Sequence, residues 1–273
     1  MHLAVDPALD AHVALKVLAD HHSVVPEIRE RFIAEARTLR SIASDRVVTV
    51  YDIGERSGQP YLVMEVAAGG TLDDRLAQRL PTTDELTRLV DELGACLQAV
   101  HDAGIVHRDI KPSNLLIRSS HGRTWSASEP LLAPDEQLVL ADFGLARAVG
   151  LTTLTVGGGT DGFMAPEQRS ASTSIDERAD VFAATAVIAT LAHRDPNGRR
   201  DIAHALAQIE QPATLLDREL AVGLAEDPTE RHGSASQWAD ALRQAIAADG
   251  PIDTVVGASD VARRSANAHA TAS

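Results

Sequence analysis

Apolar residues alternate in some stretches, fall into helical stripes in others, and once run together. Each regime marks a kind of element. Residues 2–5 and 12–18 read as two short strands joined by a turn at Asp6-Pro7. Pro26 then opens a helix with Ile28, Phe32, Ala36 and Leu39 on one stripe. Glu35 lies on or beside that stripe, an odd place for a charge unless it meets a partner, and Lys16 is the natural one. A solvated helix position is the plainer alternative for it. Val47–Ile53 and Tyr61–Val66 flank the turn Ser57-Gly58 as a hairpin. These pieces make a small sheet with one helix packed on it.

At Ala67-Ala68-Gly69-Gly70 the composition shifts to small residues, and beyond it the pattern is mainly helical. Thr71 with Asp74 starts one helix. Thr82 with Glu85 forms a capping box ahead of Leu86, Leu89, Val90, Leu93, Leu97 and Val100, and Gly104 closes that helix. Ser174 with Glu177 and Ser234 with Gln237 predict two further helices, over 175–192 and 235–247. Residues 118–137 are polar and rich in Ser and Pro. Residues 248–273, mostly Ala, Ser, Gly and Asp, have little to bury and read as a flexible tail. The fold class expected is α+β in two lobes: residues 1–66, a connection at 67–70, and a larger part over 71–247.

Composition narrows the function. Hydrophobic residues make up 44% and charged residues 23%, ordinary for a globular protein. The net charge of −14 speaks against nucleic acid as the main partner, since phosphate backbones need a basic face. Cys96, the sole cysteine, excludes an internal disulfide; among Leu93, Leu97 and Val100 it reads as a small buried hydrophobe rather than a nucleophile. The longest apolar run, Val181–Ala192, is too short to span a membrane and predicts a buried helix. The N-terminus carries neither the basic patch nor the apolar core of a signal peptide, so a cytoplasmic protein is expected.

Candidate chemistry is densest at residues 105–114, Ile-Val-His-Arg-Asp-Ile-Lys-Pro-Ser-Asn, between two apolar runs. Pro112 keeps Lys111 out of the helical region, which makes this a loop between buried flanks, where scaffolds present catalytic groups. Asp109 can accept a proton, Lys111 can neutralise developing negative charge, and Asn114 can offer an amide oxygen to a hard cation. The bland alternative is a solvated turn.

The stretch resembles the catalytic loop of eukaryotic-like (bacterial Hanks-type) Ser/Thr protein kinases. Five short strings occur in that family's order: Val13-Ala14-Leu15-Lys16, Glu35 within Phe-Ile-Ala-Glu-Ala-Arg, His107-Arg108-Asp109 with Asn114, Asp142-Phe143-Gly144, and Ala165-Pro166-Glu167. Each alone occurs by chance; the order makes the signal specific. The resemblance implies that ATP and Mg2+ are used and that Ser or Thr hydroxyls of proteins are the acceptors. Lys16 would contact the α- and β-phosphates, held by Glu35. Asp142 and Asn114 would hold the metal, and Asp109 would take or orient the hydroxyl proton with Lys111 beside it. Backbone at Glu65 and Ala67 would bind adenine, with Ala14 packing on the ring and Met64 gating the space behind. Thr152, Thr153 and Thr155 are candidate phosphorylation positions on an activation loop, which Arg108 would read. Thr160 would bridge Asp109 and Lys111. Glu167 with Arg231, and Asp180 beneath the catalytic loop, would be structural. Self-association would allow one copy to phosphorylate another.

Two departures stand out. Where the family has a tight hairpin, residues 118–137 read as an inserted surface loop. The family's Gly-x-Gly-x-x-Gly loop has no counterpart before Lys16 in the chain as written. A start codon placed too far downstream is the favoured explanation. The alternative is a pseudokinase that keeps the fold as a binding module without turnover. A small-molecule phosphotransferase of related architecture is disfavoured, because the Gly159–Glu167 run builds a peptide-docking platform.

Overall fold

The computed structural model describes residues 1–7, 10–119, 125–143, 161–169, 174–193 and 201–251. The expectations for Gly144, Thr152, Thr153, Thr155, Thr160 and the tail beyond 251 lie outside these residues.

The first part is an antiparallel sheet of β1 (His2–Asp6), β2 (Ala11–Val17), β3 (Val50–Arg56) and β4 (Gln59–Glu65), in the order β1-β2-β4-β3. Along β4 the side chains of Pro60, Leu62 and Met64 are buried and the alternate ones half-buried, as the two-residue repeat requires. Two helices follow β2: the single turn α1 (Asp20–Ser23) and α2 (Pro26–Ser41), which begins on Pro26 and buries Phe32, Glu35, Ala36 and Leu39. Strand β3 starts three residues later than the apolar run suggested. Val47 and Val48 instead leave the sheet to pair with Leu140: Val48 N–H donates to the Leu140 carbonyl at 2.9 Å. That bond ties the sheet to the helical part.

The helical part begins with α3 (Leu72–Gln78) and α4 (Thr83–Asp102), each opened by a reciprocal capping box, Thr71 with Asp74 and Thr82 with Glu85. Gly104, at φ +73°, ends the second. Helix α4 buries the stripe Leu86 to Val100, Cys96 included, and packs on α8 (Ala235–Asp249). The approach is close at Gly94, where a Cβ would lie 2.6 Å from that of Ala239. Against α4 also packs α5 (Arg178–Ala192), buried on all sides, which accounts for the apolar run that shows no helical stripe. Helices α6 (Ile202–Ile209) and α7 (Leu215–Gly223) complete this part. Among the described residues no helix is long and apolar enough to cross a membrane.

Three further expectations need correction. Helix α5 starts at Arg178 without a side-chain cap from Ser174; the nearby Asp176 accepts from the Arg178 N–H at 2.9 Å instead. The stretch 118–137 is not simply a surface loop. Its ends belong to the hairpin β5 (Leu115–Ser119) and β6 (Glu136–Leu140), and Leu131, Leu132 and Ala133 are buried. Ser234 does cap α8, but the Gln237 side chain turns to the Gly233 N–H rather than completing a box.

Candidate active site

The loop between α4 and β5 is shaped from below by one carboxylate. Asp180, fully buried on α5, accepts from the His107 N–H (2.7 Å), the Arg108 N–H (2.8 Å) and the His101 Nε2 (2.9 Å). These bonds hold Arg108 at φ +67°, a conformation a non-glycine residue adopts only when its surroundings fix it. His107 is satisfied on both sides: Nδ1 accepts from the Asp109 N–H at 3.2 Å, so Nε2 carries the proton given to the Ala141 carbonyl at 3.1 Å. Burial lowers its pKa, which agrees with a neutral ring. Its face packs on Phe143, ring centroids 4.4 Å apart.

Above this base the loop presents its polar groups together. Lys111 Nζ lies 2.9 Å from Asp109 Oδ2. Asn114 Nδ2 donates to Asp109 Oδ2 at 2.9 Å and to the Asp109 carbonyl at 2.8 Å, which leaves the amide oxygen free to face a cation. Asp142 follows β6 at φ +57°. Its Oδ1 meets Lys16 Nζ at 2.9 Å, and Lys16 also meets Glu35 Oε1 at 2.8 Å. Burial pulls the Lys16 pKa down, but Glu35 and Asp142 outweigh it and hold the ammonium above its ordinary value. Burial raises the Glu35 carboxyl, against the pull of Lys16.

Beside these groups opens a cavity of about 260 Å³ between the sheet and β5. Ala14, Met64, Glu65 and Ala67 line it, together with Leu3 and Leu116. Leu116 was missed by sequence reasoning, although its place two residues after Asn114 in an apolar strand was a usable signal. Glu65 turns its side chain away to Arg118 on β5, at 2.9 and 2.7 Å. Burial would raise its pKa, but the bonds from Arg118 and Thr49 hold it below the ordinary range.

Farther down, Arg231 and Glu167 form a bidentate pair at 2.7 and 2.8 Å, their side chains 0% and 6% exposed, with the guanidinium over Phe182. Thus Lys16, Glu35, Asp109, Lys111, Asn114 and Asp142 come together around one cleft, while Asp180, Glu167 and Arg231 lie beneath it.

The donor set suits magnesium, which takes one or two protein oxygens and leaves the rest to phosphate and water.

A small sheet over a helical lobe, with a lysine, two aspartates and an asparagine in the cleft between, defines the class of protein kinases. The chain matches the protein kinase domain family over residues 2–248 and belongs to it. Its curated relatives include the serine/threonine-protein kinase PknJ of Mycobacterium tuberculosis, 31% identical over 270 residues that cover 90% of this chain and 43% of PknJ. PknL of the same species is 33% identical over 248 residues, covering 84% of this chain and 58% of PknL. The chain therefore spans about four to six tenths of the length of these relatives. Among solved structures, a double mutant of the PknI kinase domain of M. tuberculosis superposes with a TM-score of 0.66 at 24% identity, covering 90% of this chain and 89% of that one, and shows the same fold.

Proposed function

We propose that this chain transfers the γ-phosphoryl group of Mg-ATP to Ser or Thr hydroxyls of proteins. The observation that carries the reading is the convergence of Lys16, Asp109, Lys111, Asn114 and Asp142 on one cleft beside a largely apolar cavity of about 260 Å³. Asp142 and the Asn114 amide oxygen hold magnesium, which neutralises the phosphates when bound. Lys16 orients the α- and β-phosphates. Asp109 takes the proton as the hydroxyl oxygen bonds to the γ-phosphorus and the bond to the β–γ bridging oxygen breaks, while Lys111 offsets charge on the transferred group. Residues 1–66 and 71–247 act as the two lobes, 67–70 as the hinge, and the protein works in the cytoplasm. Arg108 carries a buried Nε without a hydrogen-bond partner among the described residues, which supports its reading as a receptor for a phosphate on Thr152, Thr153 or Thr155.

Radiolabelled phosphate transfer from ATP to a basic protein substrate tests this reading. Asp109→Asn should slow transfer by about 10²–10⁴-fold while Mg-ATP still binds. Unchanged turnover removes Asp109 from its role. Nucleotide binding with no transfer by the unaltered chain favours the pseudokinase alternative.

A further inference from the structure

The insertion between β5 and β6 is tied into the helical part by three arginines. Arg79 donates to the Glu129 carbonyl at 2.8 Å, and Arg88 to those of Leu132, Ala133 and Glu136 at 2.6, 2.7 and 2.8 Å. Arg75 is the central one, with only 2% of its side chain exposed. Its Nη1 donates to the Leu131 carbonyl (2.7 Å) and to Glu136 Oε2 (2.6 Å). Its Nη2 donates to Glu136 Oε1 (2.8 Å) and to the carbonyl of Gly69 (3.2 Å). Trp125 lies over the guanidinium, 5.1 Å from Cζ to the ring centroid, and is itself fixed by its indole N–H on the Pro130 carbonyl at 2.8 Å.

One planar cation therefore joins the insertion, the end of β6 and the connection between the lobes. Arg118, at the other stem of the insertion and paired in register with Gln137, grips the far end of the same connection through Glu65. The nucleotide-facing segment 65–69 is thus held at both ends from behind. The insertion supplies the Leu131 carbonyl and the Trp125 face that keep the Arg75 fork in plane.

We propose that the insertion is a hinge clamp: Arg75 and Arg118 are positioning residues that fix residues 65–69 for adenine and so set nucleotide affinity without touching the nucleotide. The proposal rests on the reading of Glu65 and Ala67 as the adenine-binding edge. A lysine keeps the charge but lacks the fork, so it cannot serve hinge, carboxylate and insertion at once.

The test uses the full chain with Arg75→Lys, Arg118→Lys and, as control, Arg79→Ala, which releases Glu129 of the insertion but not the connection. Calorimetry should show the Kd for Mg-ADP raised about five- to thirtyfold in the first two and within about twofold of the unaltered chain in the control. At saturating Mg-ATP the kcat of all three should stay within about twofold, a split that general damage would not give. Hydrogen exchange at the Gly69 and Gly70 amides should quicken in the two lysine variants only. Unchanged Kd and exchange in both would overturn the clamp. Equal weakening in Arg79→Ala would overturn it too, because any loosening of the insertion would then suffice. If the unaltered chain binds no Mg-ADP, the nucleotide reading fails and exchange alone decides: quickening confined to Arg75→Lys and Arg118→Lys keeps the clamp, and equal rates sink it.

Discussion

Beneath the cleft, Asp180 accepts three N–H groups out of contact with water, whereas across the cleft Lys16 reaches two carboxylates from a sheet whose outer strand leaves Leu3 and Val5 in solvent, 68% and 58% exposed. The lower half is fixed by buried contacts that form once, with the fold: the bonds of Asp180 to two backbone amides and His101, and the Arg231–Glu167 pair. The upper half is fixed by ion pairs between separate elements: Glu35 on α2, Asp142 after β6, and Lys16 on β2, whose side chain is 26% exposed. Shielded bonds of the first kind tolerate little change, while pairs of the second kind can re-form as elements shift. The Asp109 side of the cleft is therefore built as a rigid bench, and the Lys16 side as an adjustable grip.

Four substitutions probe that contrast, three by the loss of stability in urea unfolding and the last by the thermal midpoint across pH. Glu167→Gln should cost most, about 3–5 kcal/mol, because it strands a buried Arg231 charge. A loss below about 1 kcal/mol would break the contrast, since the pair would then behave like a surface one. Lys16→Met should cost less, about 1.5–3 kcal/mol in the same unfolding measurement. Glu35, its carboxyl already raised by burial, can take up a proton once the lysine is gone. A cost equal to that of Glu167→Gln would show the upper grip to be as rigid as the bench.

Arg29→Ala removes the pair with Glu55 on the sheet, where the side chains are 33% and 46% exposed, and should cost at most about 1 kcal/mol. The smallest effect is a pH-dependent one. Glu85 is held at about 2, below an ordinary 4.5, chiefly by Arg79, with burial opposing and the amides of Thr82 and Leu131 assisting. An acid depressed in this way stabilises the fold above its unfolded value and loses that contribution as pH falls through the folded one. Glu85→Gln should therefore lower the thermal midpoint slightly at neutral pH. Its difference from the unaltered chain should shrink between about pH 4.5 and 2; a constant difference across that window would remove Glu85 from this role.

Much of the cleft was legible because phosphate chemistry demands particular side chains, and Lys16, Asp109 and Asp142 leave those letters in the sequence. Thr71 and Thr82 were legible for a similar reason, since a capping box has a fixed spacing. The packing of the insertion was not. Arg75, Arg79 and Arg88 grip it by backbone carbonyls, which every residue possesses, so nothing among Ser126–Ala133 announces the contact. Ser174 misled in the opposite sense: the letters of a capping box are present, but Asp176 sits closer to the α5 N-terminus and takes the bond. The reciprocal box of Thr214 and Asp217 at the start of α7 was present in the letters and went unread. Leu116 was hidden because an apolar residue lining a cavity looks like one filling a core.

Cys96 sits fully enclosed on α4, its Sγ 3.2 Å from the Leu138 carbonyl, and burial pushes its thiol up to about 12. As the chain's sole cysteine it leaves the folded surface without a reactive sulfur. A single cysteine introduced on the exposed face of α2 or α8 would then be the one group a maleimide dye finds. A dye pair sited on those two helices would turn the distance between the lobes into an optical signal, with the native cysteine left in place.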